Sequence, residues 1–312
     1  MRAEKEKKAM RQINPEKKRK KISGREWQWI QMSIFPVLHT FIFSYCTLYG
    51  LLIAFKDYKY SLGIWGSKWV GLNNFKFFVL SNDCLRLVKN TISLNALFIV
   101  TIMAAEIALA IVFYEITSRR ALKAYQTILI TPNFISWVTV GYVVYAFLQP
   151  QYGIVNNILR SLGLEGIQFY NEPAVWPAIL NFAQVWKGVG MGCIIYYATL
   201  MGIDNTLYEA ARIDGASNPR IFWQVTLPLS KPIIVYTMLT QFAWPWSDFI
   251  LPSLLLKNKD LWTVAVGLMS LDETKFTRFA AGSVFIGVPI ILLYFCLSRF
   301  LVQGLSSGAV KE

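Results

Sequence analysis

Long apolar stretches separated by short polar segments dominate the pattern along this chain. A helix that crosses a bilayer needs about 20 mostly apolar residues, and six stretches reach that length. Trp27 to Phe55 contains no Asp, Glu, Lys or Arg. Asn90 to Tyr114 holds only Glu106, Pro173 to Ile203 only Lys187, and Pro232 to Leu256 only Asp248. Ala124 to Leu159 and Phe279 to Ser298 hold none, and Pro150 places the end of the former helix near Leu148. Soluble core helices are rarely this uniformly apolar. The pattern predicts an all-α membrane protein of about six transmembrane helices over residues 27–303, with a cytoplasmic elbow between helices four and five.

Composition agrees. Hydrophobic residues make up 55% of the 312 and charged residues only 16%, against about 25% charged in a typical soluble domain. Intrinsic disorder is excluded. The formal net charge of +13 raises the question of nucleic acid, and its location answers it. Residues 1–25 carry 11 Lys/Arg against 3 Glu, so most of the excess sits in one solvated arm, 1–26, beside the membrane. Basic residues do not interleave with aromatics on a folded face, so no nucleic-acid partner is expected. The arm is too long, and the apolar run behind it too long, for a cleavable signal peptide.

The basic arm belongs in the cytoplasm by the Lys/Arg rule. Six crossings then put loops 116–123 and 204–231 and the tail 304–312 on that side. Arg119, Arg120 and Lys123 fit, whereas segment 56–89, assigned outside, argues the other way with six Lys/Arg. The expected location is a cell membrane, multi-pass, with both termini cytoplasmic.

Four cysteines (Cys46, Cys84, Cys193, Cys296) show no CxxC pairing; three lie in apolar runs and read as small buried hydrophobes. A lone His39 without nearby Cys or carboxylates supplies no metal site, and no catalytic group is assigned.

The polar loop between helices four and five has its own pattern. Thr206 with Glu209 three residues later reads as a capping box that starts a helix at about Leu207. Leu207, Ala210, Ala211 and Asp214 share a face, Gly215 suits a left-handed helix end, and Ser217 with Pro219 opens a second short helix that Leu227-Pro228 ends. The small Ala210–Ala211 face allows another surface to approach closely.

The same residues carry a resemblance. Glu209-Ala210-Ala211, three residues, Gly215, nine residues, then Val225-Thr226-Leu227-Pro228 resembles the EAA signature of ABC importer permeases, EAA-x3-G-x9-I-x-LP, with Val225 where Ile is usual. Val70-Gly-Leu-Asn-Asn-Phe75, Gly153-Ile-Val-Asn-Asn157 and the tail Leu301–Lys311 resemble segments of the binding-protein-dependent carbohydrate, or maltose-type, permeases. Ile53-Ala-Phe-Lys-Asp-Tyr58 with Gly63-Ile-Trp-Gly66 is similar to the branch that takes up oligosaccharides and polysaccharides. The resemblance covers about residues 30–312 and implies a bacterial plasma (inner) membrane and a division of labour. This chain would pair with a second permease subunit as a heterodimer, two cytoplasmic ABC ATPase subunits would use ATP and Mg, and an extracellular or periplasmic sugar-binding protein would deliver cargo. Glu209, Ala210, Ala211, Asp214, Gly215, Leu227 and Pro228 would then couple the chain to the ATPase, with Glu209 pairing a basic group there. No G-x-x-x-x-G-K-[ST] occurs, so the chain binds no ATP through a P-loop and no cofactor of its own is expected.

Charges inside spans are rare and face a bundle interior or water. At ~1.5 Å per residue, Lys187 falls ~16 Å into helix four and Asp248 ~24 Å along helix five, so a direct Glu106–Lys187 pair is not expected. Interhelical pairing competes with lining a solute path for each charge. Helix five combines Trp244, Pro245, Trp246, Ser247 and Asp248. Indole faces stack on sugar rings and the polar groups bond hydroxyls. Helix three adds Asn133 and Tyr142. The path candidates are therefore Trp244, Trp246, Asp248, Asn133, Tyr142 and Lys187, with helix packing or an interfacial belt as the competing reading of the aromatics. An ABC permease for a non-sugar solute shares the loop motif. An ion-coupled secondary transporter explains the buried charges but leaves the elbow idle.

Overall fold

A computed structural model describes residues 24–270 and 276–309; the basic arm up to residue 23 and residues 310–312 lie outside. Two compact units divide the chain at Gly50/Leu51.

The first unit is one apolar rod. Helix α1, Gly24–Thr40, continues through a π turn, Phe41–Tyr45, and most of its exposed side chains are apolar. His39 lies between the rings of Phe35 and Phe43 on this rod. A 3₁₀ stretch, Cys46–Phe55, runs on into the second unit.

The second unit opens with a two-stranded hairpin, β1 Lys56–Asp57 against β2 Lys68–Trp69. Two long helices form its spine: α3, Asn82–Glu115, and α7, Trp176–Met201. Ser81 starts α3 by accepting the N–H of Cys84 at 3.1 Å. The helices pack along each other, and the Thr101 hydroxyl donates to Asn181 Oδ1 across the seam at 2.6 Å. One core cluster gathers Phe98 and Ile102 of α3, Val140, Trp176 and Leu180, with Leu251 and Leu255 closing it.

Three expectations need correction. The third span is no single rod: α4, Arg119–Ile130, a 3₁₀ turn, Thr131–Phe134, and α5, Trp137–Leu148, meet at a bend of 94°. Pro132 cannot continue the helix, and Ser136 restarts it by accepting the N–H of Thr139. The fifth span is interrupted between α10, Lys231–Ser247, and α11, Ile250–Leu255, where Asp248 Oδ1 takes the Ile250 N–H at 3.0 Å. Among the described residues, four helices are long and apolar enough to cross a membrane, or five with the bent pair counted as one. Finally, Cys46 and Cys296 are exposed while Cys84 and Cys193 are buried, because apolar faces of a membrane helix need not face protein.

Short helices α2, Asn73–Val79, α6, Ile154–Ser161, and α12, Val264–Met269, precede α3, α7 and α13 respectively. The last helix, α13, Phe276–Ala309, packs on α10 and runs through most of the expected tail.

Candidate functional site

Two sites are joined by α10. The first is the elbow that follows α7. Helix α8, Asn205–Ile213, starts two residues earlier than expected, because Asp204 rather than Thr206 caps it: the Thr206 N–H donates to Asp204 Oδ1 at 3.0 Å. The capping box therefore does not form, and the exposed Glu209 carboxylate makes no ion pair or hydrogen bond among the described residues. The helix ends as a Schellman motif. Gly215, at φ +77°, donates to the Arg212 carbonyl and Ala216 to that of Ala211. A residue with a Cβ is strained at that φ.

Ser217 and Pro219 begin α9, Asn218–Ile221. Leu227-Pro228 does not end this segment. The chain winds as a π turn, Phe222–Thr226, then one more helical turn, Leu227–Leu229. Pro228 brings no N–H to the preceding turn, and wider winding accommodates it. The Thr226 and Tyr208 hydroxyls meet at 3.4 Å across the bend, and Tyr114 donates to Asn205 at 3.3 Å, tying the elbow to the end of α3. Between them opens a cavity of about 610 Å³ edged by Tyr114, Tyr208, Glu209, Arg212 and Trp223. Ala210 is exposed and Ala211 half-buried on the adjoining face.

The second site is a cavity of about 580 Å³ among α3, α7, α10 and the corner before α5. It brings together Asn133, Lys187, Trp244 and Asp248 from the expected set. Trp244 is 78% exposed, its indole open to the cavity. Trp246 is 3% exposed and faces the other way, its Nε1 donating to the Ile286 carbonyl of α13 at 3.0 Å. Tyr142 is exposed on α5 and does not line the cavity.

Lys187 is committed to a corner. Its Nζ donates to the Asn133 carbonyl at 2.7 Å and lies 5.1 Å from the centre of the Trp137 ring. The Asn133 carbonyl closes the α4–3₁₀ segment without a backbone donor among the described residues, and a cation satisfies it well.

Glu106 is fully buried and forms the cavity floor, where Oε1 accepts from Gln241 Nε2 at 3.2 Å. Its carboxyl presses on Gly192, where a Cβ would collide with it. No Glu106–Lys187 ion pair forms among the described residues. Sequence reading missed Thr237, Thr240 and Gln241. With Trp244 and Asp248 they form a polar stripe at helical spacing along α10, a signal already present in the chain.

Residues 98–310 match the family described as binding-protein-dependent transport system inner membrane component. The chain belongs to this family. Among its relatives, Protein LplB of Bacillus subtilis is 30% identical over 275 residues, 86% of each chain. The polygalacturonan/rhamnogalacturonan transport system permease protein YteP of the same organism is 32% identical over 228 residues, 73% of this chain and 71% of that one. A solved chain from a bacterial ABC transporter that imports the acidic polysaccharide alginate superposes with a TM-score of 0.75 at 27% identity, covering 89% of this permease and 96% of that chain. This permease is thus a multi-pass inner-membrane component, and its fold is that of ABC importer permeases.

Proposed function

We propose that this permease forms half of the translocation path of an ATP-driven carbohydrate importer, served by a solute-binding protein and paired with a second, different permease subunit. Two cytoplasmic ATPase subunits, which use ATP and Mg, grip the elbow through the Ala210–Ala211 face, with Glu209 offered to a basic group. The termini lie in the cytoplasm, on the side of the elbow. The carrying observation is mechanical: α10 begins at Lys231, two residues after the elbow's last turn at Leu229, and ends at the Trp244–Asp248 wall of the cavity. A rigid displacement of the elbow is therefore felt at the cavity, as alternating access requires. Oligosaccharide cargo is supported by the names of YteP and of the maltodextrin permease MalD of Streptococcus pneumoniae, and by an exposed indole beside Asp248 and Asn133 for ring stacking and hydroxyl bonding. Glu209 supports the coupling role because no partner within the chain occupies its carboxylate among the described residues.

The test is ATP-dependent uptake in vesicles carrying the complete complex with Ala211→Trp or Gly215→Pro. Both variants are expected to insert and lose coupled uptake. Full uptake in both rejects the docking face. Uptake that needs no ATPase subunit and collapses with an ionophore favours an ion-coupled carrier.

A further inference from the structure

We propose that the hairpin at residues 56–69 is an interfacial anchor, seated among the anionic phospholipid headgroups where the chain leaves the bilayer. Its position comes from the backbone. The apolar helical run that starts at Trp27 ends at Phe55, and the hairpin begins at the next residue. It does not reach away. The Val70 N–H returns to the Phe55 carbonyl at 2.9 Å, and the Trp69 ring stacks on Phe55 at 5.6 Å with an interplanar angle of 9°. Asn74 Nδ2 donates to the Ala54 and Lys56 carbonyls at 2.9 Å each. The hairpin is held against Ala54 and Phe55, the last residues of the apolar run.

It is also rigid. Lys56 Nζ donates to the Ile64 carbonyl at 2.7 Å, the buried Ser67 hydroxyl donates to Gly63 at 2.6 Å, and the Lys59 N–H donates to Ser67 Oγ at 3.0 Å. This rigid frame displays Tyr60 at 89% exposure and Trp65 at 80%, with Leu62 and Trp69 also exposed. Large aromatics fixed outward by a folded loop call for a cover that is apolar on one side and wet on the other. Lys56, Lys59 and Lys68 against the single acid Asp57 give the segment a net positive charge. Trp and Tyr mixed with Lys is the composition of a headgroup layer contact, in which rings sit at the boundary and ammonium groups meet lipid phosphates. The same chemistry accounts for basic residues on a segment that the charge rule would otherwise keep inside.

The experiment places a nitroxide at position 60 or 65 (Tyr60→Cys, Trp65→Cys) in the complete transporter, with Cys46 and Cys296 replaced by Ser. The complex is reconstituted in nanodiscs of phosphatidylethanolamine and phosphatidylglycerol, with Glu165→Cys, on an exposed loop, as the aqueous reference. Collisions with a water-soluble nickel chelate are expected to be several-fold fewer at 60 and 65 than at 165, while collisions with oxygen stay high. Equal chelate accessibility at all three sites overturns the proposal. So does exclusion of both reagents, the result for a surface covered by another protein. Lys59→Gln with Lys68→Gln is expected to raise chelate accessibility at position 60 in phosphatidylglycerol discs and leave it unchanged in discs of phosphatidylcholine alone; no rise in the former overturns the assignment to anionic headgroups. Should Trp65→Cys fail to assemble, the Tyr60→Cys site carries the same reading.

Discussion

The Lys187 ammonium lies 2.7 Å from the Asn133 carbonyl oxygen, bridging α7 to the corner at which the third span turns. The Asn133 carbonyl takes no backbone N–H among the described residues, and Lys187 supplies the donor. Lys187→Met keeps the chain's length and removes the donor and the charge. Leaving such acceptors unmet costs about 1–3 kcal/mol. A lowered melting temperature of the purified complex is expected, together with faster hydrogen exchange confined to residues 131–136. Unchanged exchange there would show that the corner holds without the lysine.

Glu106 and Gly192 form a second interlock, because the carboxyl occupies the space a Cβ at 192 would need. Gly192→Ala is expected to cost about 1–3 kcal/mol by overpacking. Glu106→Ala, which vacates the space but strands Gln241, is expected to destabilise as well. The double variant is expected to be more stable than the sum of the two losses, as contacting sites are non-additive. Thermal melting of all four proteins measures the coupling, and strict additivity would sink the interlock.

Much of this architecture is legible in the chain. Most of each apolar run that predicts a span appears as helix, because a length of apolar residues without charge leaves few alternatives, although the third and fifth are broken. The corners are harder. Pro132 and Ser136 mark a break and a restart, but the 94° turn depends on Gly190 letting α4 approach α7 against the Leu129 carbonyl, a contact distant in sequence. Within the site, Trp244 and Trp246 differ by two positions, hence by about 200° around a helix, so they cannot share a wall. That rule was available, and so was the polar stripe from Thr237 to Asp248. By contrast, whether Asp204 or Thr206 caps α8 is a competition between adjacent residues that spacing alone does not decide.

Gly215 gives a graded test of the elbow. Its φ of +77° is strained for any L side chain, least so for Asn. Coupled uptake and the yield of co-purified ATPase are expected to fall in the order Gly, Asn, Ala, Val at this position, with Ala costing about 1 kcal/mol of local stability. No Cβ clash is present there, so the ordering reports backbone strain alone. Equal behaviour of Asn and Val would contradict it.

Tyr170 gives a pH signature outside the spans. Burial, with a smaller contribution from Tyr145, pushes its phenol up to about 12 from the usual 10.0. The folded state thus holds a proton that the unfolded chain releases from about pH 10. Stability from this group is complete below pH 10 and is lost as pH rises toward 12. The hydroxyl is buried without a hydrogen-bond partner among the described residues, so Tyr170→Phe is expected to leave neutral-pH melting unchanged or raise it, and to flatten the alkaline decline. A variant as alkali-sensitive as the parent would place the effect elsewhere.

The paired tryptophans separate transport from folding. Trp246 is buried and hydrogen-bonded to α13; Trp246→Ala is expected to cost about 3–5 kcal/mol and to lower the yield of assembled complex. Trp244 projects into the cavity, and Trp244→Ala is expected to leave melting within about 0.5 kcal/mol of the parent while reducing oligosaccharide uptake at unchanged ATPase assembly. Trp244→Phe keeps an aromatic face and is expected to restore part of that uptake, whereas Trp244→Leu, of comparable hydrophobicity, is not. Melting curves and initial uptake rates on the same preparations decide it: equal rates for Phe and Leu would mean that ring stacking has no part in the path, and a large melting loss at position 244 would mean that its indole packs against the protein.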